Sequence, residues 1–446
     1  MREGSLDAPT RHPIAWREAD FYDPEKLDVE LRRVFDICHG CRRCFNLCDS
    51  FPRLFDLVDE SESGELDSVN SKDFAPIVEA CTLCDMCFLT KCPYVPPHDF
   101  NLDFPHLMVR ARAQAFRQGK IARSEVLLTQ TDKNGKLGCT FSSLANWASQ
   151  RGNAFTRPLM QALLGVHKDA ELPPFSPKTS SAQAAAQSIV VNKQAPAFGR
   201  KAVIYATCFG EYNSADIVLD TRKVLARNGV ETEVIHPGCC GMPQLEHGDI
   251  EAVAKSAKRV AEAFAPWIAK GYDIVAPVSS CALMVKFEWP LIEPDDAAIA
   301  DLSKATFDAA EYMVAMAKKE GMSEGLKPLQ GDVAIHIPCH ARAQNMGQKG
   351  AELLRLIPDT KITVIERCSG HGGAWGTRTE NFEVGMKIGK PVFRQATQAK
   401  PTFLVSECPL ARGHILQGME GLDEGGKAVQ TVEKHPIQLI AKSYGL

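Results

Sequence analysis

Eight of the chain's 16 cysteines lie between positions 38 and 92, in two runs of one form. The first reads Cys38-His-Gly-Cys41-Arg-Arg-Cys44-Phe-Asn-Leu-Cys48. The second reads Cys81-Thr-Leu-Cys84-Asp-Met-Cys87, followed after four residues by Cys92-Pro93. Three cysteines at three-residue intervals wrap a short loop around one cubane cluster. A fourth thiolate arrives from a distance and, where two clusters share a module, belongs to the other cluster. The spacing therefore predicts two 4Fe–4S clusters, one on Cys38, Cys41, Cys44 and Cys92, the other on Cys81, Cys84, Cys87 and Cys48. Two details depart from the usual pattern: Asp49 rather than proline follows Cys48, and the gap from Cys87 to Cys92 is one residue longer. Structural zinc is the competing reading, but zinc takes four ligands from two separate CxxC pairs, which fits two three-plus-one runs poorly.

A disulfide framework belongs to small exported domains. This chain has 446 residues, and its first residues, MREGSLDAPTRHP, lack the apolar core of a signal peptide. Its 45% hydrophobic and 24% charged content is that of a soluble globular protein of two or three domains. The net charge of -4 gives no electrostatic footprint for nucleic acid. No apolar run reaches the roughly 20 residues of a membrane span. The expectation is a cytoplasmic protein without a transmembrane segment, with peripheral attachment to the cytoplasmic membrane face left open.

The chain divides into an N-terminal arm (1–30), the cysteine runs (31–100), a helical connecting region (101–167), a Pro-, Ser- and Ala-rich linker (168–200), and a region where short β-branched runs alternate with helices. That last region repeats itself. AVIYATC, TEVIHPGCCG and DIVAPVSSC in one half answer VAIHIPC, ITVIERCSG and FLVSEC in the other. Cys208 to Cys239 spans 31 residues and Cys339 to Cys368 spans 29; Cys240 to Cys281 spans 41 and Ser369 to Cys408 spans 39. Each strand-like run ends at or near a cysteine. The intervening segments are helical, as in the apolar stripe of Ile250, Val253, Ala257, Val260, Ala261, Phe264 and Ile268, with Gly271 just beyond. Strands alternating with such helices give parallel sheets, whose ligands gather beyond the carboxyl ends of the strands. The predicted units are 201–320 and 331–440.

Cys239-Cys240-Gly241, preceded by Cys208 and followed by Cys281, resembles the cysteine-rich CCG domain of heterodisulfide reductase subunits and of the iron–sulfur subunit of anaerobic glycerol-3-phosphate dehydrogenase. HPGCCGMPQLEHGD, SSCALMVKFEWP and IPCHARAQNMG carry the resemblance. CTLCDMCFLTKCPYVPPH is also similar to iron–sulfur oxidoreductases found beside rubrerythrin. The 32 residues between Cys48 and Cys81, with the helical-looking SFPRLFDLVDE, resemble the helical ferredoxin modules of quinone-linked oxidoreductases. The fold class implied is α+β multidomain: a helical ferredoxin module followed by two tandem α/β CCG units. In such a family each CCG unit is a cluster-binding or thiol-redox site. The full set is five cysteines ending in CxxC; here Met284 stands in the last place, leaving Cys208, Cys239, Cys240 and Cys281. Four thiolates suffice for an additional 4Fe–4S cluster; a bare thiol or structural pocket is the alternative. The second unit is degenerate, with Cys339, Cys368 and Cys408, and Ser369 in place of the paired cysteine. His340 and His371 are its candidate substitute ligands. It would be a cluster site, an iron left open to substrate, or a unit without a cofactor.

The resemblance implies an electron-transfer subunit that relays electrons between a partner, such as a flavin dehydrogenase subunit, and a quinone or small redox-protein acceptor. The alternative is a stand-alone iron–sulfur reductase acting on a thiol, a disulfide or a rubrerythrin-like partner. Cys139 reads as a structural thiol. The basic stretch Arg110, Arg112, Arg117, Lys120 and Arg123 reads as a solvated helix face. Gly370-His371-Gly372-Gly373 is glycine-rich but carries no dinucleotide or phosphate-loop fingerprint.

Overall fold

The computed structural model describes residues 8–422 and 431–446; residues 1–7 of the expected arm and 423–430 of the expected second unit lie outside them. Two four-stranded parallel sheets organise the C-terminal part of the chain. The first contains β1 (Lys201–Tyr205), β2 (Glu231–Ile235), β3 (Asp273–Ala276) and β4 (Thr306–Asp308) in the order β2-β1-β3-β4. The second contains β5 (Val333–His336), β6 (Ile362–Ile365), β7 (Phe403–Ser406) and β8 (Val432–Lys434) in the order β6-β5-β7-β8. The two orders are the same, so the sequence repeat is a structural repeat. The edge strands β4 and β8 were not expected from the sequence. Each has three residues, too few for a period-two pattern to register.

Alternation along the strands divides the core into layers. On β1, Val203 and Tyr205 face a core shared with the N-terminal helices, while Ala202 and Ile204 face a second core. That second core is common to both sheets: Val333 and Ile335 of β5 and Val405 of β7 enter it from the other side. The far face of the second sheet, with Ala334 and Leu404, is covered by Val392, Phe393 and Ile415 of the helices Phe382–Ala399 and Pro409–Glu420.

The N-terminal region is helical. Helix Pro24–Cys41 starts where the Asp23 carboxylate accepts from the Glu25 and Lys26 N–H groups at 2.9 and 3.0 Å, with Pro24 at its first position. It buries Leu27, Leu31, Val34 and Phe35 and stops at Arg42 in the left-handed region. SFPRLFDLVD forms the helix Ser50–Asp59, as its sequence suggests. The basic stretch does not form one long helix: Phe104–Arg117 stops before Gly119, whose φ is +69°, and a new helix begins at Arg123. Nor is it simply a solvated face. Arg110 donates to the backbone carbonyls of Asp20 and Phe21, and Arg112 donates to those of Val78, Glu79, Cys81 and Glu246. The segment read as a linker is a strap laid on the first unit. Ser176 N–H donates to Tyr212 O at 2.7 Å, and Ser180 Oγ donates to the buried Glu211 carboxylate at 2.7 Å.

A buried ion network fastens the arm. The Arg11 guanidinium donates to Asp85 (2.7 Å), Asp103 (2.9 Å) and Glu288 (3.0 Å), and His106 lies 3.1 Å from Glu288 and 3.3 Å from Asp103. Burial opposes the charge on Glu288, but His106 and Arg11 outweigh it and hold its pKa at about 2. Burial likewise opposes the His106 cation, and the Asp103 and Glu288 carboxylates raise its pKa above the ordinary imidazole value. Removing one partner from a buried network leaves charge uncompensated, so Arg11→Met is expected to cost about 3–5 kcal/mol in denaturant unfolding. A raised imidazole contributes stability that is complete below its unfolded-state pKa of about 6.5 and is lost as pH rises through the folded value. The unfolding midpoint should therefore fall as pH is raised above about 6.5, and His106→Gln should flatten that slope.

Candidate functional sites

The cysteines sit at turns or in short helical segments beside them. In the second run, Leu83 (φ +48°) and Asp85 (φ +61°) are left-handed non-glycine residues between the cysteines, and Arg42 (φ +54°) ends the first run's helix. Alternating right- and left-handed residues turn successive N–H groups to one side, a concavity suited to a negatively charged group. Chain folding then places Cys38 with Cys92, Cys44 and Cys41: burial, then the repulsion of those three thiols, raises its pKa well above the usual value. Cys48 is raised in the same way by burial and by Cys84 and Cys81, and Cys87 by burial and by Cys84, Cys81 and Cys48. Burial and the neighbouring thiols push Cys44 to about 12. Cys92 thus lies within electrostatic reach of the first run and Cys48 of the second. Such a donor set fits a cationic iron–sulfur core, which deprotonates its ligands on binding. Among the described residues, no three or more His, Cys, Asp or Glu are placed to hold a single metal ion; in a cubane each thiolate takes a different iron.

In the first CCG unit the four cysteines meet beyond the carboxyl ends of β1, β2 and β3. Cys208 lies on the helix Thr207–Tyr212, Cys281 on the helix Ser279–Leu283, and Cys239 and Cys240 on the loop after β2. Cys239 Sγ is 3.7 Å from Cys208 Sγ, and Cys240 Sγ is 3.3 Å from Cys281 Sγ. Hydrogen bonds from the Cys208 and Cys240 thiols hold Cys239 well below the usual thiol range, and Cys208 and Cys240 are raised in return. Gly241 N–H also donates to Cys239 Sγ at 3.4 Å. Trp289, fully buried, donates from Nε1 to Cys240 O at 3.0 Å. The loop has one more support that sequence reasoning missed. Asp132, from the connecting region, accepts from Cys239 N–H at 2.8 Å and from His236 Nε2 at 2.7 Å. Nothing in the sequence pairs residues 107 positions apart.

The second unit reproduces the turn with fewer thiols. Gly370 N–H donates to Cys368 Sγ at 3.4 Å, matching Gly241 and Cys239. Cys339 is raised by burial and then by Cys84, Cys368 and Cys408. The second unit's thiols therefore lie beside Cys84 of the second N-terminal run, and Cys84 is pushed to about 12 by burial and by Cys368. Cys368 is the one exposed cysteine of the sixteen, yet desolvation by its surroundings raises its pKa. Ser369 is buried beside it.

Of the two histidines considered as ligands, His340 is occupied otherwise. Its Nδ1 is 2.8 Å from Ser280 Oγ and its Nε2 is 3.3 Å from Leu83 O, so it joins the first unit, the second unit and the Cys81–Cys87 loop. His371 is buried 5.4 Å from His414, ring to ring, and burial lowers its pKa to about 3. The glycine run serves close approach: a Cβ on Gly372 would stand 2.5 Å from Thr82 of the Cys81 loop. Cys139 donates to Tyr212 O at 3.4 Å and is buried.

Gly370 has φ +78°, and a Cβ there would lie 2.0 Å from Gly385 O. Gly370→Ala must both strain the backbone and move the facing helix. A loss of at least ~2 kcal/mol is expected by chemical denaturation, with the turn around Cys368 displaced; unchanged stability would contradict the packing described.

The cysteine-rich CCG domain model matches residues 202–286 and 333–415, the two sheet units. Over 341 residues the chain is 26% identical to a subunit of the anaerobic glycerol-3-phosphate dehydrogenase of Escherichia coli (strain K12), covering 76% of this chain and 81% of the relative. It is 23% identical over 252 residues to a subunit of the CoM/CoB fumarate reductase of Methanothermobacter marburgensis, covering 55% of this chain and 47% of the relative. Lactate utilization protein A of Oceanobacillus iheyensis is 26% identical over 214 residues, 46% of this chain and 84% of that protein. The chain thus carries two cysteine-rich CCG domains on a matching pair of sheets, and its homologues include subunits of a dehydrogenase and of a reductase.

Proposed function

We propose that this protein is an iron–sulfur electron-transfer subunit, with Cys38, Cys41, Cys44 and Cys92 holding one 4Fe–4S cluster and Cys81, Cys84, Cys87 and Cys48 a second. The observation that carries the reading is the placement of Cys84 between two sets of thiols: its own run on one side, Cys339 and Cys368 on the other. Cys408 in turn feels Cys281 of the first CCG unit. The thiols thus act on one another in succession, Cys44 on Cys87, Cys368 on Cys84, Cys408 on Cys339 and Cys281 on Cys408. Bound clusters would supply one-electron carriers along that succession. The protein's own contribution is fixed: N–H donors from Gly241 and Gly370 to sulfur, and a dry surround, both of which set potential.

The donor is a dehydrogenase subunit, in keeping with the name of the Escherichia coli relative, and the acceptor a quinone or small redox protein. A docking face for such a partner, or for peripheral attachment at the cytoplasmic membrane surface, is offered by the helices between 123 and 164. There Leu137, Phe141, Leu144, Trp147, Phe155 and Leu163 are each more than half exposed. Among the described residues no helix is long and apolar enough to cross a membrane.

The stand-alone reductase reading has one observation in its favour, the exposure of Cys368. A nucleophilic thiol needs a depressed pKa, and that of Cys368 is raised.

Anaerobic purification with iron, sulfide and EPR analysis tests the proposal. The N-terminal cysteines should account for about eight irons, four per cubane; stoichiometric zinc without iron would overturn it. Cys92→Ser should perturb the signal of the Cys38 cluster, and Cys48→Ser that of the other; each acting on its own local run would refute the crossed pairing. For the CCG units, Cys240→Ser should lower iron content at the first. Ser369→Cys, which restores the adjacent thiolate, should raise iron content or oxygen resistance at the second.

A further inference from the structure

Arg112 joins the helix Phe104–Arg117, the start of the second cysteine run and the first CCG unit. Its Nη2 donates to Val78 O (2.6 Å) and to Cys81 O, and its Nη1 donates to Glu246 O at 3.0 Å. A longer bond of 3.4 Å reaches Glu79 O. Every one of these acceptors is a neutral backbone carbonyl. Among the described residues no carboxylate forms an ion pair with Arg112, whereas Arg11, Arg32 and Arg33 of the same region each have an acid partner. Burial raises the one carboxyl recorded as feeling Arg112, that of Glu246, to about 7 against the pull of the guanidinium. Well below that pH the acid is neutral and the Arg112 charge is not offset by it.

Because one of the bonded carbonyls is that of Cys81, the cation is fixed within one residue's reach of a sulfur atom. Burial raises the Cys81 thiol, and Arg112 is the largest charge acting against that rise. A positive charge held there favours the thiolate. With a cluster bound it also favours the reduced state, since reduction adds one negative charge to the centre. The Cys38 set is placed differently. Its cations Arg43 and Lys91, which act on Cys44, are exposed, where water and salt screen them. Arg112 is partly buried and is screened less.

We propose that Arg112 is a positioning residue of the second N-terminal cluster, whose guanidinium ties the Cys81 loop in place and by its charge raises the reduction potential of that cluster. The role rests on the reading that Cys81, Cys84, Cys87 and Cys48 hold a 4Fe–4S cluster.

An EPR-monitored redox titration of the full chain, purified anaerobically and poised at about pH 6, tests it, with iron counted on each sample. Arg112→Gln keeps an amide donor and loses the charge. It should lower the midpoint potential of one N-terminal signal, the one that Cys87→Ser alters, and leave the other where it was. Arg112→Lys keeps the charge with a different set of donors. Its midpoint should stay close to that of the unsubstituted protein even where the unfolding midpoint falls. Arg110→Gln, on the same helix but serving the carbonyls of Asp20 and Phe21, should move neither signal. An unchanged midpoint in Arg112→Gln with both clusters present, or equal downward shifts in Arg112→Gln and Arg112→Lys, would overturn the charge role. If Arg112→Gln loses its cluster outright, Arg112→Lys decides: an unshifted midpoint upholds the role and a lowered one overturns it. An unsubstituted protein without iron or 4Fe–4S signals would overturn the cluster assignment itself, and the role of Arg112 with it.

Discussion

Everything in this fold converges on the loop from Cys81 to Cys87. It is held from four directions at once. Arg112 donates to the Cys81 and Val78 carbonyls. Arg11 grips Asp85 from the arm. His340 reaches Leu83 O from the second CCG unit. Gly372 lets the second unit's turn close on Thr82. A loop with two left-handed non-glycine residues is not a conformation that local propensity favours. It persists because each of its turns is fixed by a side chain from somewhere else. The ion network around Arg11 also has a second effect: it neutralises Asp85, which sits between two cysteines, in a place where further negative charge would oppose thiolate formation.

Much of this was legible in the sequence, and the part that was legible has a common cause. Cysteine spacing, strand-end position and helix periodicity are local regularities, so the three matched runs per half, the helix over Ile250–Ile268 and the convergence of Cys208, Cys239, Cys240 and Cys281 at one sheet edge could be read directly. What escaped depends on pairs far apart in the chain. Arg110 and Arg112 look like surface charges until the carbonyls they serve are known. The strap over 168–200 has linker composition, yet Glu211 and Tyr212 give it anchors. His340 beside Cys339 has the local look of a ligand, and only the tertiary structure shows both its nitrogens engaged.

The two CCG units share topology and the glycine-to-sulfur hydrogen bond but differ electrostatically. In the first, hydrogen bonds from Cys208 and Cys240 lower the pKa of Cys239 below the usual thiol range. In the second, Ser369 stands in the place of Cys240, so Cys368, the counterpart of Cys239, has no thiol next to it in sequence, and burial raises all three cysteines. The backbone was kept while the chemistry changed. The left-handed Gly370, packed against the Gly385 carbonyl, serves the turn whether or not a second thiol follows Cys368.

The interior around these thiols is arranged to limit negative charge, and the acids show how. Glu407, next to Cys408, has both carboxylate oxygens buried without a partner among the described residues, and burial with the nearby Asp308 raises its pKa well above the ordinary value. Burial raises Asp308 itself to about 6 and Glu246 to about 7. An unpaired carboxylate is expensive in such surroundings, so Glu407 is held as a neutral acid. Where an acid must stay ionised, as at Glu288 and Asp103, a guanidinium and an imidazole are brought to it. A neutral acid beside a cysteine leaves the local field to the sulfur atoms and whatever they bind. An ionised one would add a fixed negative charge and make reduction of a neighbouring centre harder. The same burial that makes the thiols reluctant to ionise alone thus removes the competing charges that would hinder them once a cationic centre is present.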